Sequence, residues 1–478
     1  MATRAPSLVV AGALLGALAG CGSGGGTSAD GPHGGGGGAQ GGGSNAGGLT
    51  SKITAPPAFD STKGWEVTAD WLPQGQPLPY AVSPSRGIVA YLDRAEQGYV
   101  LKLREASSGK LLSSGKSWKG PRLSEKQSKE QSPELAVPQI ALVSGGQREY
   151  FAVWARGQAR KDELHEYKEV VSVAFYPVDA TGTAVAPVGE GSAEAPEDEL
   201  DRPSVFTGPG GLLVTTYDHD SILVAPDGKV TRRGDAKVTL NGEAVEPDYL
   251  MSVPGPRGLV TNGKEGGTGK GGFGEEGGWQ SSGVTPPGAD SLLDYDTVIN
   301  GVRREPNGRA VGAVGNHLIA NWRPRGTSTT RGLSAIHDLA TGAVQATAAC
   351  DADTTEYDAD LPRPTNLAEV RPAVSPNGRY LVKGGAVYDL TTGRGICTGG
   401  ESDAKKITLN AVGDDGTAYG VAGDDKPRTP VTVSARTGSA QPLPKAMSTP
   451  DAIAQGAGVF VTYAGTDTLR LIVLRPRK

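Results

Sequence analysis

Short apolar or alternating runs of four to eight residues recur along nearly the whole chain after residue 60, each bounded by Gly, Pro, Asp or Asn. Such runs are the signature of short β-strands, and helical periodicity is nearly absent. The clearest unit reads Arg371-Pro372-Ala373-Val374-Ser375-Pro376-Asn377-Gly378-Arg379-Tyr380-Leu381-Val382, then Ala386-Val387-Tyr388-Asp389-Leu390-Thr391-Thr392-Gly393-Arg394. Residues 375–378 form a tight turn in which Pro376 presets φ and Gly378 tolerates a positive φ. Residues 389–393 make a second turn, where Asp accepts local backbone bonds. The first turn is echoed at 81–87, and more weakly at 205–211, 252–258 and 412–416. The second is echoed at 179–182 and 338–342, with looser copies at 106–109 and 434–438. First strands of the repeated unit are expected near Val82, Ile140, Val205, Met251, Ala313, Val374, Val412 and Ile453.

Four short strands recurring at about 40–50 residues mean propeller blades, and longer spacings carry loop insertions. The units resemble YVTN-type and WD-repeat-like propellers, a group that also holds quinoprotein-like folds. The resemblance implies an all-β chain with a single β-propeller of about eight blades over residues 61–478, seven being the alternative. The chain departs from true WD repeats, having no Trp-Asp dipeptide and no Gly-His pair. The last unit has two good strands, 458–463 and 468–474, and a strand at 65–71 could complete it and close the ring. Closure of that kind removes exposed sheet edges. Stretches 119–135, 189–201 and 262–283 interrupt the pattern and are expected to be surface loops.

The start of the chain has a different character. Arg4 is followed by an apolar or small run at 7–19, too short for a stable membrane-spanning helix of about 20 apolar residues. It ends in Leu18-Ala19-Gly20-Cys21, which resembles the lipobox of bacterial lipoproteins. The resemblance implies a signal peptide over 1–20, cleavage before Cys21, and a diacylglycerol on its thiol with palmitate-type chains. It places the protein outside the cell, held by lipid on the outer face of the cytoplasmic membrane. The plainer reading is a secretory leader with an incidental Cys, although the next Cys is Cys350. Residues 21–60 are Gly-, Ser- and Ala-rich and are expected to be a disordered tether, spanning roughly 35 Å as a flexible coil. The Ala, Gly, Arg and Pro bias fits a high-GC genome such as an actinobacterium's.

Candidate chemistry is sparse. Cys350 and Cys397 follow the Thr-Gly turns of consecutive units and are expected to form a disulfide, free thiols being the alternative. Asp351, Asp353, Glu356, Asp358 and Asp360 form an acidic loop that could ligate Ca²⁺ through oxygen. An EF-hand would need Gly where Glu356 stands, so a solvated acidic loop is the preferred reading, and no metal or other cofactor is expected. Asp414, Asp415, Asp424 and Asp425 are read the same way. Residues 269–274 match a dinucleotide fingerprint by letters, but no strand-to-helix context surrounds them. Residues 109–117 end in Gly-Lys-Ser but are one residue too long for a P-loop. Of His33, His165, His219, His317 and His337 none shows paired metal spacing, and His219, between Asp218 and Asp220, is the most suggestive. Quinoprotein-like blades carry a docking Trp four residues after the turn Gly. Here Ala186, Ala346, Cys397 and Pro442 stand there, which argues against a quinone cofactor. The formal net charge of -5 is mild, and nothing in the chain is basic enough to suggest a nucleic-acid partner, for which a clustered Lys/Arg face is expected.

The combined expectation is a monomeric, membrane-anchored binding or scaffold protein whose propeller holds an envelope protein, peptide or glycan. The alternatives are a hydrolase-, lactonase- or lyase-like propeller enzyme using dispersed carboxylates or a metal, and an accessory lipoprotein of a transporter or signalling system.

Overall fold

The computed structural model describes residues 47–123, 136–145, 148–195, 204–215, 221–234, 236–263, 272–289, 298–299, 302–303, 308–322, 331–351, 372–398, 405–423, 428–464 and 468–477. The chain divides into two units, Met1–Ser44 and Asn45–Lys478, and every described residue lies in the second. That unit is all-β. The described residues hold no α-helix and one 3₁₀ turn, Ser281–Gly283.

The strands fold as successive antiparallel meanders. Their first strands are Tyr80–Ser83, Gln139–Gly145, Ser204–Gly208, Pro247–Pro254, Arg309–Val314, Ala373–Val374, Ile407–Val412 and Ala452–Ala454. Each contains one of the residues the turn pattern picks out. Numbered by those strands, the meanders are the first to eighth sheets. The fifth and sixth are hydrogen-bonded into one eight-stranded sheet by a single parallel pair, Thr347 with Arg394. Side chains alternate between the two neighbours of each sheet. In the second sheet Val171, Val173 and Phe175 face the third, while Ala174 and Tyr176 face the first. Both faces of such a strand are dry, so it reads as a nearly continuous apolar run instead of an alternating one.

The inter-sheet cores form a series that returns to its start. Tyr99, Leu103 and Phe151 fill the space between the first and second sheets. Val173 and Leu212 join the second to the third, and Leu213 and Leu259 the third to the fourth. Val260 and Leu318 join the fourth to the fifth, and Ile336 and Leu381 the fifth to the sixth. Val382 and Leu409 join the sixth to the seventh, and Tyr419 and Phe460 the seventh to the eighth. Val459 and Val89 then join the eighth to the first. The eighth sheet is completed from the other end of the chain: Phe59–Ala69 pairs antiparallel with Thr468–Pro476, with Trp65 opposite Val473 and Ala69 opposite Leu469.

Several expectations need correction. The folded unit starts well before residue 61. Gly47 and Gly48 pair with Glu66 and Trp65, Ser448 donates its N–H to Thr54 O, and Leu49, Ile53 and Ala55 pack on the core between the seventh and eighth sheets. Three apolar side chains at the end of a Gly-rich stretch are enough to hold it, because an existing sheet edge supplies the backbone partners. The expected tether therefore keeps only its earlier part, and that part, with Cys21, lies outside the described residues. The stretch 189–201 begins with a strand, Gly189–Glu194, paired to Lys168–Pro177. Its Glu190 and Glu194 point to solvent from an outer strand, which gives it the composition of a loop. Likewise 262–283 contains the strand Phe273–Glu275, in which Phe273 and Glu275 are fully buried. Of 119–135, residues 124–135 lie outside the described set.

The two repeated turns have distinct structural tasks. The first lies between strands one and two, and at four of the junctions it bonds to the same region of the next sheet. Gln455 donates to Ser85 O at 3.1 Å, Ser83 to Glu149 at 2.5 Å, Gly210 N to Pro254 O at 3.3 Å, and Asn377 N to Asp414 at 2.9 Å. The second receives a side chain from the preceding sheet. Gly109 and Gly342 have φ of +75° and +74°, and a Cβ there would meet the rings of Trp65 and Trp279 at 2.7 and 2.5 Å. Each indole N–H donates to a carbonyl of the turn it covers, Trp65 to Ala106 O and Trp279 to Leu339 O, both at 3.0 Å. Docking tryptophans are thus present, although not four residues after a turn Gly. Trp65 comes from the closing strand and Trp279 follows the strand hidden in the Gly-rich stretch. Ile396 takes the same place against Gly438.

Candidate functional site

An antiparallel meander puts the start of strand one, the turn between strands two and three, and the end of strand four at the same end. The opposite end carries the first turns, which are short and at four junctions bonded from sheet to sheet. The two ends of the unit therefore differ. One is sealed by tight turns. The other bears the variable connections, including the anchors of the segments around residues 124–135, 264–271, 323–330 and 352–371. The hairpin of Arg148–Ala159 with Lys168–Pro177 extends past its first strand at this end. It carries Leu164, 94% exposed, and Tyr167, whose ring has the guanidinium groups of Arg122 and Arg160 over it at 5.5 and 5.1 Å.

The most unusual polar arrangement at this end spans the fourth, fifth and sixth sheets. The first strand of the fifth sheet has a register irregularity between Ala310 and Gly312. Buried Asn262, from the fourth sheet, takes both backbone bonds of Ala310: Ala310 N donates to its Oδ1 at 2.8 Å and its Nδ2 donates to Ala310 O at 2.9 Å. Lys383, from the sixth sheet, reaches the next carbonyl, Val311 O, at 3.4 Å. Lys383 ends the strand Tyr380–Lys383, and Leu381, two residues earlier on the same face, packs with Val311 and Ile319. Burial among these groups pulls its ammonium down to about 7. Bulges of this kind re-aim side chains and are common beside active sites. Asp451, just before the first strand of the eighth sheet, is the other displaced group. Burial pushes its carboxyl up to about 6 although it accepts the Val461 N–H at 2.7 Å.

The residues singled out by sequence fall out differently. Cys350 and Cys397, on the outer strands of the fifth and sixth sheets, meet at their Sγ atoms with Cα atoms 5.4 Å apart. Asp351 ends the strand Val344–Asp351. Asp353, Glu356, Asp358 and Asp360 lie outside the described residues, as do His33, His219, Asp424 and Asp425. Asp414 accepts the neighbouring turn's N–H, as above, and Asp415 accepts bonds from Thr417 N and Oγ1 at 2.9 and 2.8 Å. Both are turn-forming carboxylates. Among the described residues no three His, Cys, Asp or Glu side chains are grouped to hold a metal ion. None of the described helical residues forms a helix long and apolar enough to cross a membrane. Lys383 and Asn262 carried no sequence signal, because nothing in a lone Lys-Gly-Gly turn tells that a strand from another sheet ends against it.

His337 is a core residue. It is fully buried beside Trp322 and Phe273. Trp322 Nε1–H donates to its Nε2 at 3.1 Å, so the proton sits on Nδ1, which donates to Gly342 O at 2.8 Å. Burial holds it down at about 4, against an ordinary 6.5, and the bond to Gly342 opposes that only partly. A group held neutral in this way favours the folded state above its unfolded pKa, and that contribution is lost as pH falls from about 6.5 toward 4. Stability is expected to drop by roughly 3 kcal/mol across that window from this residue. Denaturant midpoints of the protein and of a His337→Gln variant, measured between pH 7 and pH 4, check this. The variant should lose most of the slope.

No family model matches the chain, and no curated protein matches it. Among solved structures it is similar to an uncharacterised protein, lmo1340 from Listeria monocytogenes EGD-e. The two share 6% identity over 81% of this chain and 87% of that one, with a TM-score of 0.31.

Proposed function

We propose that the cyclic series of sheets is one eight-bladed propeller, exported and lipid-anchored through Cys21, whose insert-bearing end binds an envelope protein, peptide or glycan. The observation that carries the binding reading is the difference between the two ends. Function concentrates on loops held by a rigid scaffold. One end spends its turns on sheet-to-sheet bonds, and the other leaves its hairpins free to vary. The propeller reading is supported by the closed order of inter-sheet cores and by the pairing of Phe59–Ala69 with Thr468–Pro476. Crosslinking in intact cells, followed by purification and identification of what is joined, tests the function. One reproducible envelope partner whose crosslinks map to the insert-bearing end is expected. Crosslinks confined to the sealed end, or none above background, would overturn the reading. For the anchor, a Cys21→Ala variant should leave the membrane fraction.

The Cys350–Cys397 disulfide belongs to this proposal. It would staple the outer strands of two consecutive blades, which among the described residues one backbone pair joins. In the chain-entropy model a closed loop of this length contributes about 3–4 kcal/mol. Mild reduction should therefore lower the thermal midpoint, and a Cys350→Ser/Cys397→Ser double variant should be insensitive to reductant. An unchanged midpoint on complete reduction would exclude a stabilising bond.

A further inference from the structure

We infer that residues 47–55 are a displaceable strap filling a peptide-binding groove, and that the groove's outside partner is an extended peptide with aliphatic side chains at alternate positions and a Ser or Thr between them. The inference concerns the outer edge of the eighth sheet and does not depend on the binding role proposed above.

The strap is laid down as an extended peptide ligand would be. Gly47 and Gly48 continue the eighth sheet beyond Phe59–Ala69, opposite Glu66 and Trp65. From there exposure alternates with period two. Leu49, Ser51, Ile53 and Ala55 are half-buried, while Gly48, Thr50, Lys52 and Thr54 are exposed. That is the period of a strand, kept in a stretch with no ladder of its own. The half-buried positions have partners on the protein. Leu49, Ile53 and Ala55 pack on the core in which Phe59 meets Tyr419 and Phe460, with ring centroids 5.7 and 5.6 Å apart. Ser51 is held twice: its N–H donates to Glu66 at 3.0 Å, and its Oγ accepts from Arg470 at 2.6 Å. Thr50 Oγ1 donates to the same Glu66 carboxylate. Ser448 N–H, from the loop ahead of Ala452–Ala454, donates to Thr54 O at 2.8 Å.

When an extended peptide adds to a sheet edge, main-chain bonds supply affinity and alternate side-chain positions supply specificity. The strap's own contacts therefore define what the groove accepts: an aliphatic residue where Leu49 stands, a Ser or Thr at Ser51, an aliphatic residue at Ile53 and a small one at Ala55. The strap is also the part most readily lifted. Among the described residues its sheet pairing is limited to Gly47 and Gly48, and its side chains are half-buried. Phe59–Ala69 keeps its own ladder with Thr468–Pro476 when the strap leaves. Segments with few buried apolar contacts open locally, well below the cost of global unfolding. A peptide of matching pattern takes over the strap's bonds. The strap is then an autoinhibitory contact, since the filled fraction of the groove lowers an outside partner's apparent affinity.

The test is peptide binding in trans. The probe is a fluorescein-labelled peptide of residues 47–56. The receptor is the full chain carrying Leu49→Asp and Ile53→Asp, which lifts its own strap. Anisotropy should show saturable binding to this variant, and at least ~10-fold weaker binding to the unaltered chain, whose groove is filled. Ile53→Asp in the peptide should weaken binding by at least ~10-fold, the effect of losing one aliphatic contact, and Glu66→Gln in the receptor should weaken it again. A variant that unfolds cooperatively yet binds the peptide no better than the unaltered chain would overturn the inference. So would size-exclusion showing dimers of exchanged straps that the peptide cannot dissociate. Hydrogen exchange on the unaltered chain decides the matter if the variant does not fold. The amides of Ser51 and Ser448, which lose their acceptors when the strap lifts, should exchange at least ~10-fold faster than the paired amides of Phe59–Ala69. Equal rates would mean that the strap opens only together with the closing strand, and would refute its displacement.

Discussion

Replacing Trp65 with Ala is expected to destabilise the folded unit by about 3–5 kcal/mol, the range for deleting a large buried aromatic. Trp65 is 2% exposed. It stands in the strand that joins the two ends of the chain, packs with Val89, Tyr91 and Val473, and donates to Ala106 O. Arg104 lies over its ring at 6.0 Å and bonds Gly109 O at 2.8 Å. One substitution thus empties the core between the eighth and first sheets and uncovers the turn at Gly109. Urea unfolding of the variant checks the magnitude. Deleting residues 47–69 should do more, because it removes the whole outer strand and leaves Thr468–Pro476 as an open edge. The truncated chain is expected to be recovered unfolded or aggregated. A truncated chain that unfolds cooperatively near the intact midpoint would show that the closing strand is dispensable.

Arg257→Ala is expected to cost about 2 kcal/mol, because it leaves a buried carboxylate with the backbone N–H of residue 257 but without the guanidinium. Glu275 is fully buried, and it accepts Arg257 N–H at 2.9 Å and Nε–H at 3.0 Å. The same guanidinium reaches across to Ala340 O of the fifth sheet at 2.8 Å, so the variant also loses a bond between neighbouring sheets. Part of the Arg257 side chain is in water, which moderates the Coulomb contribution but not the desolvation of Glu275. The signature of the mechanism is rescue. Arg257→Ala combined with Glu275→Gln should recover part of the loss, since the stranded charge is gone. A double variant as unstable as the sum of the two single ones would mean that the pair is not coupled.

Both residues show where sequence reading stops. The eight first strands were legible because a strand's period and its turn residues are local: Pro376, Gly378 and their echoes act within four residues. The closing strand was legible too, since an unpaired strand at one end of the chain and an incomplete meander at the other satisfy each other. Glu275 was not legible. It lies in a Gly-rich, charged stretch whose composition is that of a loop, and its partner is 18 residues away in sequence. The docking tryptophans were missed for the same reason. A search at a fixed offset from the turn Gly assumes that the covering ring comes from the same repeat, whereas Trp65 reaches its turn from the closing strand and Trp279 from the segment after Phe273–Glu275.

The sequence by itself determined the class of fold, the order of the strands and the positions of the tight turns, because each is written in residues close together along the chain or in a repeat of them. Only the tertiary structure decided that one end is sealed by bonded turns and the other open to variation. It alone decided that His337 is a core residue and that Lys383 reaches Val311 O on an irregular strand of the neighbouring sheet. Burial is a property of neighbours brought from other sheets, and no local pattern of side chains encodes it.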